Sequence, residues 1–201
     1  MYGFLGRFMI GASAVLIATQ VQAQATSGAA ASGRPFKLGG MLGATVPIGN
    51  FGDGANVGFH LGGLIEHKPN ALPFTLRGEI TYNRNGLKEG FFGDEDPVFE
   101  NVDGNVSILN FVGNAVFPFG DPASTARPYG IGGVGVYRLH FSGEFGGFDV
   151  SDSQTKFGIN VGGGFQFNLS GFETFVEARF HSVFAEGDNA NFIPLSFGFK
   201  F

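Results

Sequence analysis

Glu173-Thr174-Phe175-Val176-Glu177-Ala178-Arg179-Phe180-His181-Ser182 alternates at every position: Thr174, Val176, Ala178, Phe180 and Ser182, with Phe184 beyond, stand against Glu173, Phe175, Glu177, Arg179 and His181. Successive side chains of a strand leave on opposite faces, so one face of this segment is uncharged and the other holds carboxylates, a guanidinium and an imidazole. A helix would scatter both sets around its axis. The closing segment repeats the pattern, with Ile193, Leu195, Phe197, Phe199 and Phe201 opposed to Ser196, Gly198 and Lys200.

Working outward, the same period of two recurs. Phe36, Leu38, Gly40, Leu42, Ala44 and Val46 oppose Lys37, Gly39, Met41, Gly43 and Thr45; Val57 to Ile65 set Val, Phe, Leu and Ile against Gly58, His60 and Glu66. Phe74, Leu76, Gly78, Ile80 and Tyr82 oppose Thr75, Arg77, Glu79, Thr81 and Asn83, and Leu109, Phe111, Gly113, Ala115 and Phe117 oppose Asn110, Val112, Asn114 and Val116. Tyr129, Ile131, Gly133, Gly135, Tyr137, Leu139 and Phe141 are read as one face against Gly130, Gly132, Val134, Val136, Arg138 and His140; Phe157 to Phe167 then oppose Lys156, Asn160, Gln166 and Asn168. That makes about eight strands of roughly 9 to 12 residues, the length a tilted strand needs to cross a bilayer. Short connectors (67–73, 119–127, 170–171) alternate with longer acidic ones (85–102, 142–153, 185–190) and the milder 48–55. Short turns at one end and long loops at the other are the pattern of outer-membrane barrels, whose short turns face the periplasm.

A soluble barrel alternates too, so the character of the faces decides. The polar face holds Lys37, Arg77, Arg138, Lys156, Arg179 and Lys200 with Glu66, Glu79, Glu173 and Glu177, few charges for a surface in water. The other face is uncharged and dense in Phe, which suits hydrocarbon, because large exposed apolar patches are rare on soluble monomers. Composition agrees: charged residues are 14% of the 201, with 35 Gly and 26 Phe. Twelve Lys and Arg against 17 Asp and Glu leave a net charge of −5, which argues against a nucleic-acid partner. There is no Cys, hence no disulfide framework.

The chain opens with Arg7, an apolar run from Phe8 to Ala18 and small-residue sites at Val21-Gln22-Ala23 and Ala23-Gln24-Ala25, the three parts of a secretory signal peptide. We expect residues 1–23 to be that signal, 24–35 a flexible periplasmic lead-in, and 36–201 the barrel. The fold expectation is all-β: an eight-stranded antiparallel up-and-down transmembrane β-barrel.

Arg127-Pro128-Tyr129-Gly130-Ile131-Gly132-Gly133-Val134-Gly135, Phe175 through His181, and Ile193-Pro194-Leu195 through Phe201 resemble the small eight-stranded outer-membrane β-barrel family that includes the OmpA transmembrane domain and OmpX/Ail-like proteins. The resemblance implies residence in the bacterial outer membrane, contact with its lipid and lipopolysaccharide, and handling by periplasmic chaperones and the assembly machinery. Phe197, Phe199 and Phe201 would be the assembly signal. The OmpA branch continues into a peptidoglycan-binding domain, and this sequence stops at the barrel.

Other motifs weigh little. Gly130 to Gly135 matches G-x-G-x-x-G but lies between strand-like residues, whereas a dinucleotide site needs a following helix. His60, His67, His140 and His181 lack metal-ligand spacing. Two glycosylation sequons, at Asn105 and Asn168, carry no meaning in a bacterial outer membrane. Some eight-stranded barrels deacylate lipid A with a Ser-His-Glu site, but there His and Ser are two apart, whereas here His181 and Ser182 are adjacent, with Glu186 nearby. We expect no catalytic, cofactor or metal site. Instead Arg77, Glu79, Arg138, Glu177, Arg179 and Lys200 form a lumen polar network, because some eight strands enclose an interior that side chains fill. Phe91 and Phe92, in the acidic 86–102 loop, are candidate contacts for an extracellular surface or protein ligand. The expected function is non-enzymatic, in envelope integrity or surface interaction through the loops; the alternatives are a narrow passive pore and a lipid A-modifying hydrolase.

Overall fold

The computed structural model describes residues 35–88, 104–121, 124–145, 148–169, 171–185 and 189–201. The expected signal peptide and nearly all of the lead-in lie outside the described residues, as do Phe91, Phe92 and Glu186.

The chain forms eight strands: β1 (Phe36–Ile48), β2 (Gly58–His67), β3 (Thr75–Gly86), β4 (Gly104–Pro118), β5 (Ala126–Phe145), β6 (Phe148–Leu169), β7 (Phe172–Val183) and β8 (Ala190–Lys200), with a short helix α1 (Gly49–Gly54) between β1 and β2. Each strand pairs antiparallel with the next, and β8 returns to β1, closing an up-and-down barrel without a free edge along its wall. Beyond β8, Phe201 and Leu38 exchange both backbone hydrogen bonds, at 2.9 and 3.1 Å. Gly171, with φ +101°, makes the tight β6–β7 turn that a residue bearing Cβ would strain.

Alternation dictates what lies inside. Leu38, Leu42, Leu61, Ile80, Phe111, Val161, Val176 and Phe197 point outward and are exposed, Phe157 the most at 72%. Inward stand Thr45, His60, Arg77, Asn83, Asn114, Glu177, Arg179 and Ser196, all buried. This is the reverse of a soluble protein, and it is stable only where hydrocarbon meets the outer face. At the lower, short-turn end, Met41, Leu64, Val116, Tyr129, Ile131 and Phe175 pack together inside the wall. Phe175 needs Gly198 opposite, because a Cβ there would lie 2.2 Å from its Cζ. At the upper end Ile108, Val112, Tyr137, Val183, Ala190 and Phe192 form a second cluster, covered by Phe51 of α1. Lys88 fastens α1 over that mouth by donating from Nζ to the Gly52 carbonyl at 2.6 Å.

Two expectations are corrected. In β5 the faces are reversed: Tyr129, Ile131 and Tyr137 are buried in the lumen, while Val134 (66% exposed), Val136, Arg138 and His140 look outward. Arg138 therefore does not belong to the lumen network. Both faces of β5 are apolar or glycine, so alternation alone could not orient it; the tyrosines go inward because the lumen supplies partners for their hydroxyls. Second, 142–153 is not a loop. β5 and β6 continue paired through it to Phe145 opposite Phe148, as a 20- and 22-residue hairpin. The G-x-G-x-x-G stretch lies wholly within β5, with no helix following it.

Candidate functional site

The lumen is the most organised polar region, and strand register builds it. Glu66 of β2 lies directly opposite both Lys37 of β1 and Arg77 of β3. Glu173 of β7 faces Lys200 of β8. Residues two apart on one strand share a face, which sets Glu79 beside Arg77 and Arg179 beside Glu177.

Arg77 is the hub. Its Nε donates to Glu66 Oε1 at 2.7 Å, and its Nη1 to Glu177 Oε2 at 2.8 Å and Glu79 Oε1 at 3.4 Å. Arg179 completes the ring, Nη1 to Glu79 Oε2 and Nε to Glu177 Oε1, both 2.7 Å. Lys200 Nζ joins Glu66 Oε2 at 3.0 Å to Glu173 Oε2 at 3.3 Å, and Lys37 also pairs with Glu173. Tyr129 donates its hydroxyl to Glu177 Oε2 at 2.7 Å. The Phe175 ring lies 5.1 Å from the Arg77 guanidinium and 5.7 Å from Lys200 Nζ, a cation–π contact on two sides. Lys37, Arg77, Arg179 and Lys200 thus balance Glu66, Glu79, Glu173 and Glu177, and charge pairing removes the large cost of single buried ions.

Above this layer the network turns neutral. His60 Nδ1 and Thr45 Oγ1 are 3.1 Å apart, His60 Nε2 and Ser196 Oγ 2.9 Å, and Thr45 Oγ1 donates to Asn83 Oδ1 at 2.9 Å. Asn160 donates to Asn114 at 2.9 Å. His181 Nδ1 lies 2.9 Å from the Tyr137 hydroxyl, and its ring stacks on Phe192 at 4.9 Å. These interlocked side chains fill the lumen from the ion layer to the Phe192 cap.

Of the expected network, Arg77, Glu79, Glu177, Arg179 and Lys200 come together, and Arg138 stands outside. Glu66, Glu173 and Lys37 were legible as polar-face residues but not as partners, since pairing depends on register. The His60–Thr45–Ser196–Asn83 chain was missed altogether: its members are neutral and fall on four different strands. His181 and Ser182 do not form a dyad, because as neighbours on β7 they leave the strand on opposite faces, and His181 Nδ1 meets Tyr137 in the lumen. Among the described residues no group of three or more His, Cys, Asp or Glu could hold a metal ion. Phe197 and Phe199 face outward on β8, with Phe201 just beyond, half-exposed beside the β1–β8 seam.

The outer membrane protein beta-barrel domain matches this chain over residues 11–201. No curated protein matches it. Among solved structures, Neisserial surface protein A is similar at TM-score 0.56 and 19% identity, covering 83% of this chain and 96% of its own. A major outer membrane protein of Thermus thermophilus is similar at TM-score 0.55 and 12% identity, over 84% of this chain and 99% of that one. The attachment invasion locus protein Ail of Yersinia pestis follows at 0.48 and 18%, over 84% and 100%. With a closed eight-stranded wall, an apolar exterior and a charged interior, and with a family match over nearly its whole length, the chain belongs to the outer membrane protein beta-barrel family and resides in the bacterial outer membrane.

Proposed function

We propose that this protein is a non-enzymatic membrane anchor whose working surface is the raised β5–β6 hairpin and the loops around it, with surface interaction as its role. The observation that carries the reading is strand length. A tilted strand crosses with about 9 to 11 residues, yet β5 and β6 run to 20 and 22. Residues 151–155 are exposed at every position, so that part of β6 stands in water on both faces. Pairing with β7 begins only at Gly158 opposite Val183, so among the described residues no strand covers the β7-side edge of β6 from Phe148 to Lys156. An open edge offers backbone donors and acceptors to an incoming extended segment. The 86–102 loop with Phe91 and Phe92 belongs to the same proposed surface. A passive pore fits poorly with the filled lumen, and catalysis fits poorly because the His60 partner opposite Ser196 is Thr45, not a carboxylate.

The test removes residues 143–150 and joins Ser142 to Ser151 through Asn-Gly, a two-residue turn suited to a hairpin whose flanking residues already face each other. Heat-shifted gel mobility is expected to stay intact, while adherence of expressing cells to glass and to an epithelial layer falls at least severalfold. Unchanged adherence, combined with detergent sensitivity on gene deletion, assigns the protein to envelope integrity instead.

By resemblance, we also propose Phe197, Phe199 and Phe201 as the segment read during assembly. Phe201→Ala keeps the backbone pairing with Leu38 but removes the ring. Less folded barrel is expected in cells, with refolding of the purified chain into detergent unchanged; equal loss in both settings would assign the ring to seam stability alone.

A further inference from the structure

The two ends of the lumen differ. Phe192, Phe51 of α1 and the Lys88 latch close the upper one. At the lower end, where the starts of β1 and β3 meet the end of β2 and the turn joining β2 to β3, lies a cavity of about 710 Å³, a size that holds a small ligand. Its walls are set in advance. His67 Nδ1 donates to the Pro35 carbonyl at 2.6 Å, the His67 ring lies 4.8 Å from that of Phe36, and the Leu72 N–H closes the turn on the Pro69 carbonyl at 3.3 Å. A cup fixed in this way loses little freedom when it is filled.

Charge decides what the cup takes. The ion layer above it is balanced, and Glu66, the cup's own carboxylate, is answered on both oxygens, by Arg77 at 2.7 Å and Lys200 at 3.0 Å. Lys68 stands outside that balance: it is exposed in the turn and pairs with no carboxylate among the described residues. Lys37 lines the same cup from β1, and its half-exposed ammonium has three donors, of which Glu173 takes one. The cup therefore carries excess positive charge. Asn70 and Thr75 add an amide and a hydroxyl, while Pro35, Pro69 and Ala71 offer apolar surface. A single carboxylate matches the excess, whereas a phosphate group at about −2 would exceed it and crowd Glu66.

We propose that the lower cup binds a small carboxylate ligand of short-peptide size, its carboxylate between Lys37 and Lys68 and its uncharged body against Pro35, Pro69 and Ala71. Because the upper end is closed, the ligand enters from the short-turn side, which in outer-membrane barrels faces the periplasm. The site lies at the opposite end of the barrel from the β5–β6 hairpin and does not depend on what the hairpin engages.

The test follows amide NMR of the purified barrel in detergent micelles during titration with N-acetyl-alanyl-alanine and with its C-terminal amide. In wild type the acid is expected to give saturable shifts at Lys37, His67, Lys68, Asn70 and Ala71 and to bind about tenfold more tightly than the amide, the worth of one charge-assisted pair at a half-open site. Lys68→Gln should remove that preference. Lys68→Arg should keep it, and so should Arg84→Gln, an equal charge change at an exposed position near the far end of β3. Equal binding of acid and amide would overturn the site, as would an unchanged preference in Lys68→Gln or the same shifts with inorganic phosphate. Absence of saturation by about 10 mM acid would overturn it too. The comparison of acid with amide needs no variant, so a folding defect in Lys68→Gln leaves the test intact.

Discussion

Arg77→Met is expected to destabilise the barrel by about 3 to 5 kcal/mol, because removing one partner of a buried ion pair strands the others. Arg77 is 1% exposed and contacts Glu66, Glu79 and Glu177. In its absence Glu66 keeps Lys200, and both Glu79 and Glu177 depend on Arg179 alone among the cations. Three cations then face four carboxylates in a lumen that side chains already fill. Urea unfolding followed by circular dichroism and gel mobility measures the loss. Arg77→Met/Glu177→Gln restores the balance and should recover part of it, with a coupling of about 0.5 to 3 kcal/mol for groups in one network. A single-variant cost below about 1 kcal/mol, or strict additivity, would show that the ion layer does not hold the barrel.

The residues that made the fold legible are those whose two faces differ most. β7 and β8 place Glu, Arg and Lys inward and Phe, Leu and Val outward, and no other period accommodates that division. β5 was legible as a strand but not in its facing, since Tyr129 and Ile131 on one side are no more apolar than Val134 and Val136 on the other. The composition of 142–153, with Gly, Ser and Asp, reads as loop for a physical reason: residues 151–155 are exposed on both faces and offer no apolar face to alternate with. The site was half legible. Charged residues at the depth of the hydrocarbon go inward and pair, which brings Arg77, Glu79, Glu177 and Arg179 together from the sequence. Which carboxylate meets which cation depends on register across β2–β3 and β7–β8, and the neutral chain from Thr45 to Ser196 depends on register across four strands.

The facing of β5 has a direct mutational consequence. Val134→Arg is expected to cost about 2 to 4 kcal/mol, the penalty for a cation on the lipid face near the bilayer midplane. Val134 lies opposite Gly113 of β4 and Ile159 of β6, within the apolar band and 66% exposed to its surroundings. Arg138 occupies the same face of the same strand without that penalty. Four residues correspond to about 13 Å of strand, and at a tilt of about 45° to roughly 10 Å of depth, enough to move a guanidinium from hydrocarbon to headgroups. Thr155→Arg, opposite Arg138 on β6, should accordingly cost about 0 to 1 kcal/mol. Both variants are compared with wild type by refolding into lipid vesicles under a denaturant series. Equal small costs at 134 and 155 would place residue 134 outside the hydrocarbon band and overturn the depth assigned to this part of β5. A large cost at 134 with a small one at 155 is the pattern expected of an outward face that passes from hydrocarbon to headgroups between the two levels.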